Sequence, residues 1–186
     1  MKTIISSLPS RVDYLKGRLT VEIGYPWLSY GAIMTLEEIL TLEMNVLEFG
    51  SGGSTVFFSQ HCHSVKSLDG NQQWIDRVRN VLPVPSNVTF FLADHPKMMA
   101  IIQEEPKEYY DAILVDHGST GNEYKSRRIV LEAVSPLLKK GGYLIIDNYL
   151  QRYLRSFDCS AEFDTFTFDD LRYAGRGTRI CRKRDH

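Results

Sequence analysis

Five short apolar runs punctuate the chain: Val46–Phe49, Val65–Leu68, Val88–Leu92, Ala112–Val115 and Tyr143–Ile146. Several are nearly continuous in hydrophobicity, as parallel strands covered on both faces are. Longer stretches with helical character lie between them, over Ser54–Gln60, Gln72–Val81, Lys97–Glu104 and Glu123–Leu138. Pro136 is expected to distort the final turn of the last of these. The Lys139-Lys140-Gly141-Gly142 that follows offers cations to the negative helix end and glycines for a left-handed cap. Ahead of the first strand, Ile33, Leu36, Ile39, Leu40 and Glu43 mark an amphipathic helix.

This strand–helix alternation predicts an α/β fold with a doubly wound, mostly parallel sheet and ligands at the carboxyl ends of its strands. Beyond Ile146 the pattern changes. Phe163–Phe168 alternates residue by residue and Thr178–Cys181 is a further short strand, with Gly175 and Gly177 between them. The two read as a terminal pair with an antiparallel edge, which makes seven strands. Residues 1–30 are weakly patterned and are expected to form an N-terminal cap or lid on a single domain spanning 1–186.

Composition adds little to that frame. The 186 residues, 43% hydrophobic and 24% charged, are those of an ordinary globular chain able to bury a core. A net charge of -1 provides no whole-molecule attraction to nucleic acid or membrane. Arg172, Arg176, Arg179, Arg182, Lys183 and Arg184 nevertheless crowd the C-terminus. Cys62, Cys159 and Cys181 are far apart in sequence and lack zinc-site spacing, so reduced thiols and a cytoplasmic setting are expected. The Met1–Ser10 stretch has too short an apolar patch for a signal peptide or membrane helix.

Candidate chemistry begins at Glu48-Phe49-Gly50-Ser51-Gly52-Gly53-Ser54-Thr55, which leaves the first strand and opens a helix. Glycines there permit a tight turn and close backbone approach to a ligand. A dinucleotide fingerprint would put its third glycine at position 55, which is Thr55. A carboxylate at Glu48 also repels a pyrophosphate, whereas it suits a cationic ligand such as S-adenosylmethionine, with its ammonium and sulfonium. Acids then stand at successive strand ends: Asp69, placed to accept ribose hydroxyls, then Asp94, Asp116 and Asp147. Each alone reads as a loop-starting aspartate, but together with Glu48 they form a set.

From about Pro26 to Asn148 the sequence resembles class I S-adenosylmethionine-dependent methyltransferases. The resemblance is carried by the Glu48–Thr55 loop, Val65-Lys66-Ser67-Leu68-Asp69 followed by Trp74, Ala93-Asp94, Tyr110–Asp116 and Gly141–Asn148. It implies a Rossmann-like fold and a cofactor site of Glu48, Gly50, Ser51, Gly52, Gly53, Ser54, Thr55, Asp69, Trp74, Ala93, Asp94 and Asp116. Within it, Glu48 and the loop hold the methionine end, Asp69 the ribose and Ala93-Asp94 the adenine region. Trp74 reads equally as an adenine-pocket wall or a core residue.

Methyl transfer asks mainly for alignment and desolvation, with a base only where the acceptor carries a proton. Asp116 and His117 are the candidate catalytic pair, and the expected acceptor is a small-molecule hydroxyl. Asp116, Asp147 and Asn148 also resemble the magnesium ligands of the catechol O-methyltransferase-like branch, and these oxygen donors suit Mg2+. The sequence departs from that branch at Ser119, where a catalytic lysine would fall. His117 and Lys125 are conceivable substitutes. Otherwise Asp147-Asn148 caps a loop and Asp116 approaches the cofactor. Pro26–Tyr30 either closes over the site or forms a buried staple, and Arg127 and Arg128 either bind an anionic substrate or solvate a helix face. The alternatives are a nucleic-acid methyltransferase using the basic C-terminus, a non-catalytic cofactor-binding module and an NAD-binding oxidoreductase. Against the first, the turn after Asp116 lacks the Asp/Asn-Pro-Pro-aromatic pattern of exocyclic-amine methylation. A charged edge strand explains the arginines without nucleic acid.

Overall fold

The structure, a computed structural model, describes residues 20–84, 86–118, 121–169 and 177–185. The expectations for residues 1–19, Ser119, Arg172, Gly175 and Arg176 lie outside the described residues. In chain order the elements are α1 (Thr20–Ile23), α2 (Tyr30–Ile39), β1 (Asn45–Phe49), α3 (Gly53–His61), β2 (Ser64–Asp69), α4 (Gln72–Arg79) and β3 (Val88–Leu92). There follow α5 (His95–Glu104), β4 (Tyr110–Val115), α6 (Gly121–Val134), β5 (Leu138–Asp147), α7 (Arg152–Arg155), β6 (Phe163–Phe168) and β7 (Thr178–Lys183). The strands form one sheet in the order β3-β2-β1-β4-β5-β7-β6. Its first five strands are parallel, while β7 runs antiparallel to both β5 and β6.

The unbroken apolar runs follow from the sheet being covered on both sides. Leu47, Phe49, Ile113, Val115, Leu144 and Ile146 pack with Met98 and Ile102 of α5 and Val130, Leu131 and Val134 of α6. Their neighbours Val46, Ala112, Leu114 and Ile145 face the other way, onto Ala32, Ile33 and Leu36 of α2 and Phe57 and Phe58 of α3. Each fully buried side chain of this size contributes roughly 1.5–3 kcal/mol over its exposed state.

Chain order doubles back between β1 and β4, so the loops leaving those two strands flank a crevice. The loops touch. Gly50 has φ +100°, and a Cβ on it would lie 2.7 Å from the Asp116 carbonyl oxygen. Helix starts around the crevice are capped as their sequences allow: Asn71 accepts from the Trp74 amide, and Asp94 from the Lys97 amide with Pro96 in the first turn.

One expected boundary moves. The helix over Glu123–Leu138 ends at Val134, and Ser135–Leu137 turns as a 3-10 helix around Pro136. Lys139-Lys140-Gly141-Gly142 therefore lies inside β5 and caps no helix. The register between β4 and β5 shifts there, and Lys139 reaches both carboxylate oxygens of Asp111, at 2.8 and 2.9 Å. Among the described residues, no helix is long and apolar enough to cross a membrane.

Candidate active site

A cleft of about 870 Å³ opens at the carboxyl ends of the parallel strands. Its walls include Gly50–Ser54 after β1, Asp69–Asn71 after β2, Ala93–His95 after β3, Asp116–Gly118 after β4 and Asp147-Asn148 after β5. Trp74 and Met98 add apolar surface, and Thr20 and Trp27 bring the N-terminal segment to its rim.

Glu48 lies beneath this cleft. In β1 it shares a face with Val46, and its register partner Ser67 shares a face with Val65, so both point toward α3. There the fully buried Glu48 carboxylate accepts hydrogen bonds from Ser54, Thr55 and Ser67, each at 2.5 Å. Thr55 Oγ1 also accepts from the Gly52 amide, at 2.8 Å, so the carboxylate fixes the loop through the first turn of the helix. Burial pushes the Glu48 pKa up to about 7, against the opposing pull of the three hydroxyls. Neither Glu48 nor Thr55 is among the residues walling the cleft. A buried carboxylate with three hydroxyl donors anchors the loop from within.

The polar chain continues to the cleft surface. Ser51 and Ser67 share a hydroxyl hydrogen bond of 2.8 Å, and the Ser51 amide donates to Asp69 Oδ2 at 2.9 Å. Asp69 Oδ1 accepts from the Asn71 amide at 2.8 Å, which leaves lone pairs on both oxygens facing outward. Burial raises the Asp69 pKa, and the two backbone amides oppose that. The Trp74 indole N–H donates to the Ser51 carbonyl, so this tryptophan both walls the cleft and pins its loop. Asp94 meets the cleft as the N-cap of α5, beside the buried Ala93. Gly53 has a different role. A Cβ there would sit 2.0 Å from the Tyr25 carbonyl oxygen and 2.7 Å from that of Thr20, so the missing side chain makes room for the N-terminal segment.

At the opposite end, a buried arginine organises the site. Arg127 is only 2% exposed. Its Nε donates to the His117 carbonyl at 2.5 Å, its Nη2 to the carbonyls of Asp116 (3.0 Å) and Gly118, and its Nη1 to the Asp147 carbonyl at 3.4 Å. Nη2 also pairs with Asp116 Oδ1 at 2.9 Å. Asp147 accepts from Thr178 Oγ1 (3.3 Å) and from the Asn148 side-chain amide. Thr178 Oγ1 in turn accepts from the Ser29 amide at 3.0 Å. Burial raises the pKa of both Asp116 and Asp147, and Arg127 opposes this in each. Of the two, Asp147 is pushed further up, by burial and by the neighbouring negative charge of Asp116. His117 walls the cleft with its Nε2 3.0 Å from Ser126 Oγ.

The described residues do not support the expected Mg2+ site. Asp116 Oδ1 pairs with the Arg127 guanidinium, and the two Asp147 oxygens accept from the Thr178 hydroxyl and the Asn148 side-chain amide. Among the described residues, no three His, Cys, Asp or Glu side chains form a group able to hold a metal. Arg127 is not the solvated surface residue expected as one alternative: it is 2% exposed and stands in the cleft wall. Its position gave the signal. Arg127, Val130, Leu131 and Val134 recur at helical spacing on the face that α6 buries. The sequence does not single out Ser67, Ser126 and Thr178, since a lone hydroxyl in a run has no distinguishing pattern.

The chain belongs to the methyltransferase-domain family, whose model matches residues 47–149, more than half of its length. Its fold is similar to that of a methyltransferase from Geobacter sulfurreducens, with TM-score 0.63 and 18% identity over 97% of this chain and 93% of that one. An rRNA methylase from Streptococcus thermophilus gives 0.61 and 18% over 82% and 95%. An N-methyltransferase from Bradyrhizobium japonicum, solved with S-adenosyl-L-homocysteine, gives 0.52 and 15% over 81% of each chain. No curated protein matches the sequence.

Proposed function

We propose that the protein transfers a methyl group from S-adenosylmethionine to a hydroxyl of a small molecule. The observation that carries this reading is the continuous polar chain from Glu48 through Ser67 and Ser51 to Asp69, which sets a glycine loop and an outward-facing carboxylate on one cleft wall. When bound, S-adenosylmethionine supplies a methyl carbon already activated by its sulfonium. Asp69 presents its free lone pairs to the ribose hydroxyls, Trp74, Ala93 and Asp94 border the adenine, and the Gly50–Gly53 backbone borders the methionine portion. Thr20 and Trp27 at the rim help to exclude water.

A hydroxyl is a poor nucleophile until its proton is removed, so a base is needed on the cleft floor. The Asp116–Asp147 pair meets that need. Asp116 keeps a quarter of its side chain exposed, and the proton affinity of both carboxyls is raised. Arg127 holds the Asp116–Gly118 backbone and Asp147 in fixed relation, and His117 offers a second polar group at the same place. A small acceptor is favoured over nucleic acid because, among the described residues, the basic side chains from Arg179 to Arg184 have partners within the protein, Arg182 pairing with Asp185. Arg179 donates to the Phe157 carbonyl, Lys183 to those of Ser135 and Leu138, and Arg184 to Asp164.

The deciding experiment is a thermal-shift titration with S-adenosylmethionine and its demethylated product, with NAD in parallel. Either sulfur compound at 100 times its Kd should add about 2.7 kcal/mol to stability. No shift at millimolar concentration, with NAD stabilising instead, would refute the cofactor assignment. RNA binding that weakens with salt would replace the small acceptor with nucleic acid.

A further inference from the structure

Sequence separation hides the nearest pair of thiols. Cys159 lies between α7 and β6, and Cys181 lies in β7 opposite Leu144 on one side and Thr165 on the other. Folding brings their sulfurs to 3.3 Å from each other across 22 residues. A disulfide needs about 2.05 Å, so a combined sulfur movement of roughly 1.3 Å closes the bond, within reach of small side-chain rotations. The pair is asymmetric. Cys181 is fully buried, whereas Cys159 retains 8% of its surface.

We propose that Cys159 and Cys181 form a redox-active dithiol that a peroxide converts into an intramolecular disulfide. Cys159 is the attacking sulfur. It lies 3.4 Å from Thr165 Oγ1, and Cys181 and Thr165 hydrogen bonds, helped by the Arg179 charge, pull its pKa down to about 6 against burial and Asp158. Cys181, by contrast, is held as the thiol. The Cys159 thiolate attacks one peroxide oxygen, breaking the O–O bond to give a sulfenic acid and hydroxide, which leaves as water with a proton from solvent. The Cys181 sulfur then attacks the Cys159 sulfur, displaces the hydroxyl as a second water and loses its own proton. Overall, two thiols and one hydrogen peroxide give one disulfide and two waters. Cys62 is the internal control, because burial and the nearby Asp111 push its thiol up to about 12.

The bridge would join β7, the strand beside β5, to the loop that precedes β6. Thr178, which holds Asp147, is three residues before Cys181 on the same strand. Closing this loop restricts the unfolded chain and stabilises the oxidised protein.

The test is titration of the reduced full chain with hydrogen peroxide at neutral pH, followed by intact mass, thiol counting after denaturation and peptide mapping. The expected result is a loss of about 2 Da, a fall from three titratable thiols to one, and a Cys159–Cys181 cross-linked peptide. Without reductant, the melting temperature should rise by about 5–10 °C and return when dithiothreitol is added. Cys62→Ser should cross-link as the wild type does, and Cys159→Ser should not. Three thiols persisting after excess peroxide, a bridge to Cys62 or a bridge between two chains would each overturn the proposal. These readouts involve no methyl donor, so they stand or fall separately from the proposed activity.

Discussion

The two ends of the cleft are built by different rules. The end below β1–β3 draws on two short stretches, residues 48–55 and 67–74, and most of its contacts join a residue to the loop next to it. The end below β4, β5 and β7 draws on Ser29, Asp116, Arg127, Asp147 and Thr178, with one hydrogen bond spanning 149 positions. The first is a local motif anchored from beneath by a carboxylate. The second is a long-range assembly held from within by a cation. A local motif can be recognised from spacing, but an assembly depends on which residues the fold buries.

Arg127→Met gives the strongest test of that contrast. It leaves the carboxyls of Asp116 and Asp147 without their cation and four carbonyls without a donor, and should cost about 3–5 kcal/mol in urea denaturation. Arg127→Lys should recover only part of this, since an ammonium cannot reproduce a planar fork. A cost below about 1 kcal/mol would mean that the far end holds together without its cation. If the guanidinium takes the place of a metal, millimolar magnesium should leave the wild-type melting temperature unchanged to within about 1 °C.

The next effect belongs to the other anchor and is read through pH. Glu48 has a folded pKa of about 7 against 4.5 when unfolded, so the folded chain binds more protons between these values. Stability should therefore fall as pH rises from about 4.5 to 7, by roughly 2–3 kcal/mol, and level off above. Glu48→Gln should reduce that slope, leaving the share that the raised Asp69, Asp116 and Asp147 contribute, as followed by denaturation midpoints across the range. An unchanged slope would place the titrating group elsewhere.

Asp69→Asn should separate binding from stability. Calorimetry should show S-adenosylhomocysteine binding weakened at least about tenfold, with stability changed by less than about 1 kcal/mol, because an amide oxygen still accepts one of the two backbone amides. The smallest effect is at the surface. Arg184→Ala removes a half-exposed pair with Asp164 and should cost no more than about 0.5 kcal/mol. It should also leave RNA affinity unaltered, which a gel-shift series in salt would check.

How much of this could be read beforehand follows the same division. The seven strands and their mostly parallel character were legible because a sheet covered on both faces leaves unbroken apolar runs, and the edge pair because its pattern changes to alternation. The acids after each strand were legible as strand-end loops. Glu48 stands out in the sequence, but its direction depends on the pleat: the face it shares with Val46 leads to α3, and only the partner register reveals Ser67 opposite. Lys139–Gly142 was misread because glycines after lysines suit a helix end and an irregular strand start equally well. Arg127 was visible as a position in an apolar stripe, yet the usual behaviour of arginine on a helix outweighed the spacing. The thiol pair had no sequence signal, since β6 and β7 must fold back before the two cysteines meet.

Gly53 shows what such a motif conceals. Counted along the sequence it is one more glycine for a ligand, but in space it is the seat of the Thr20–Tyr25 backbone. Residues 20–25 and 50–55 are therefore a single transferable part. Grafting the loop alone into another scaffold would leave an empty notch beside the new helix, and trimming the chain to its first strand would do the same here.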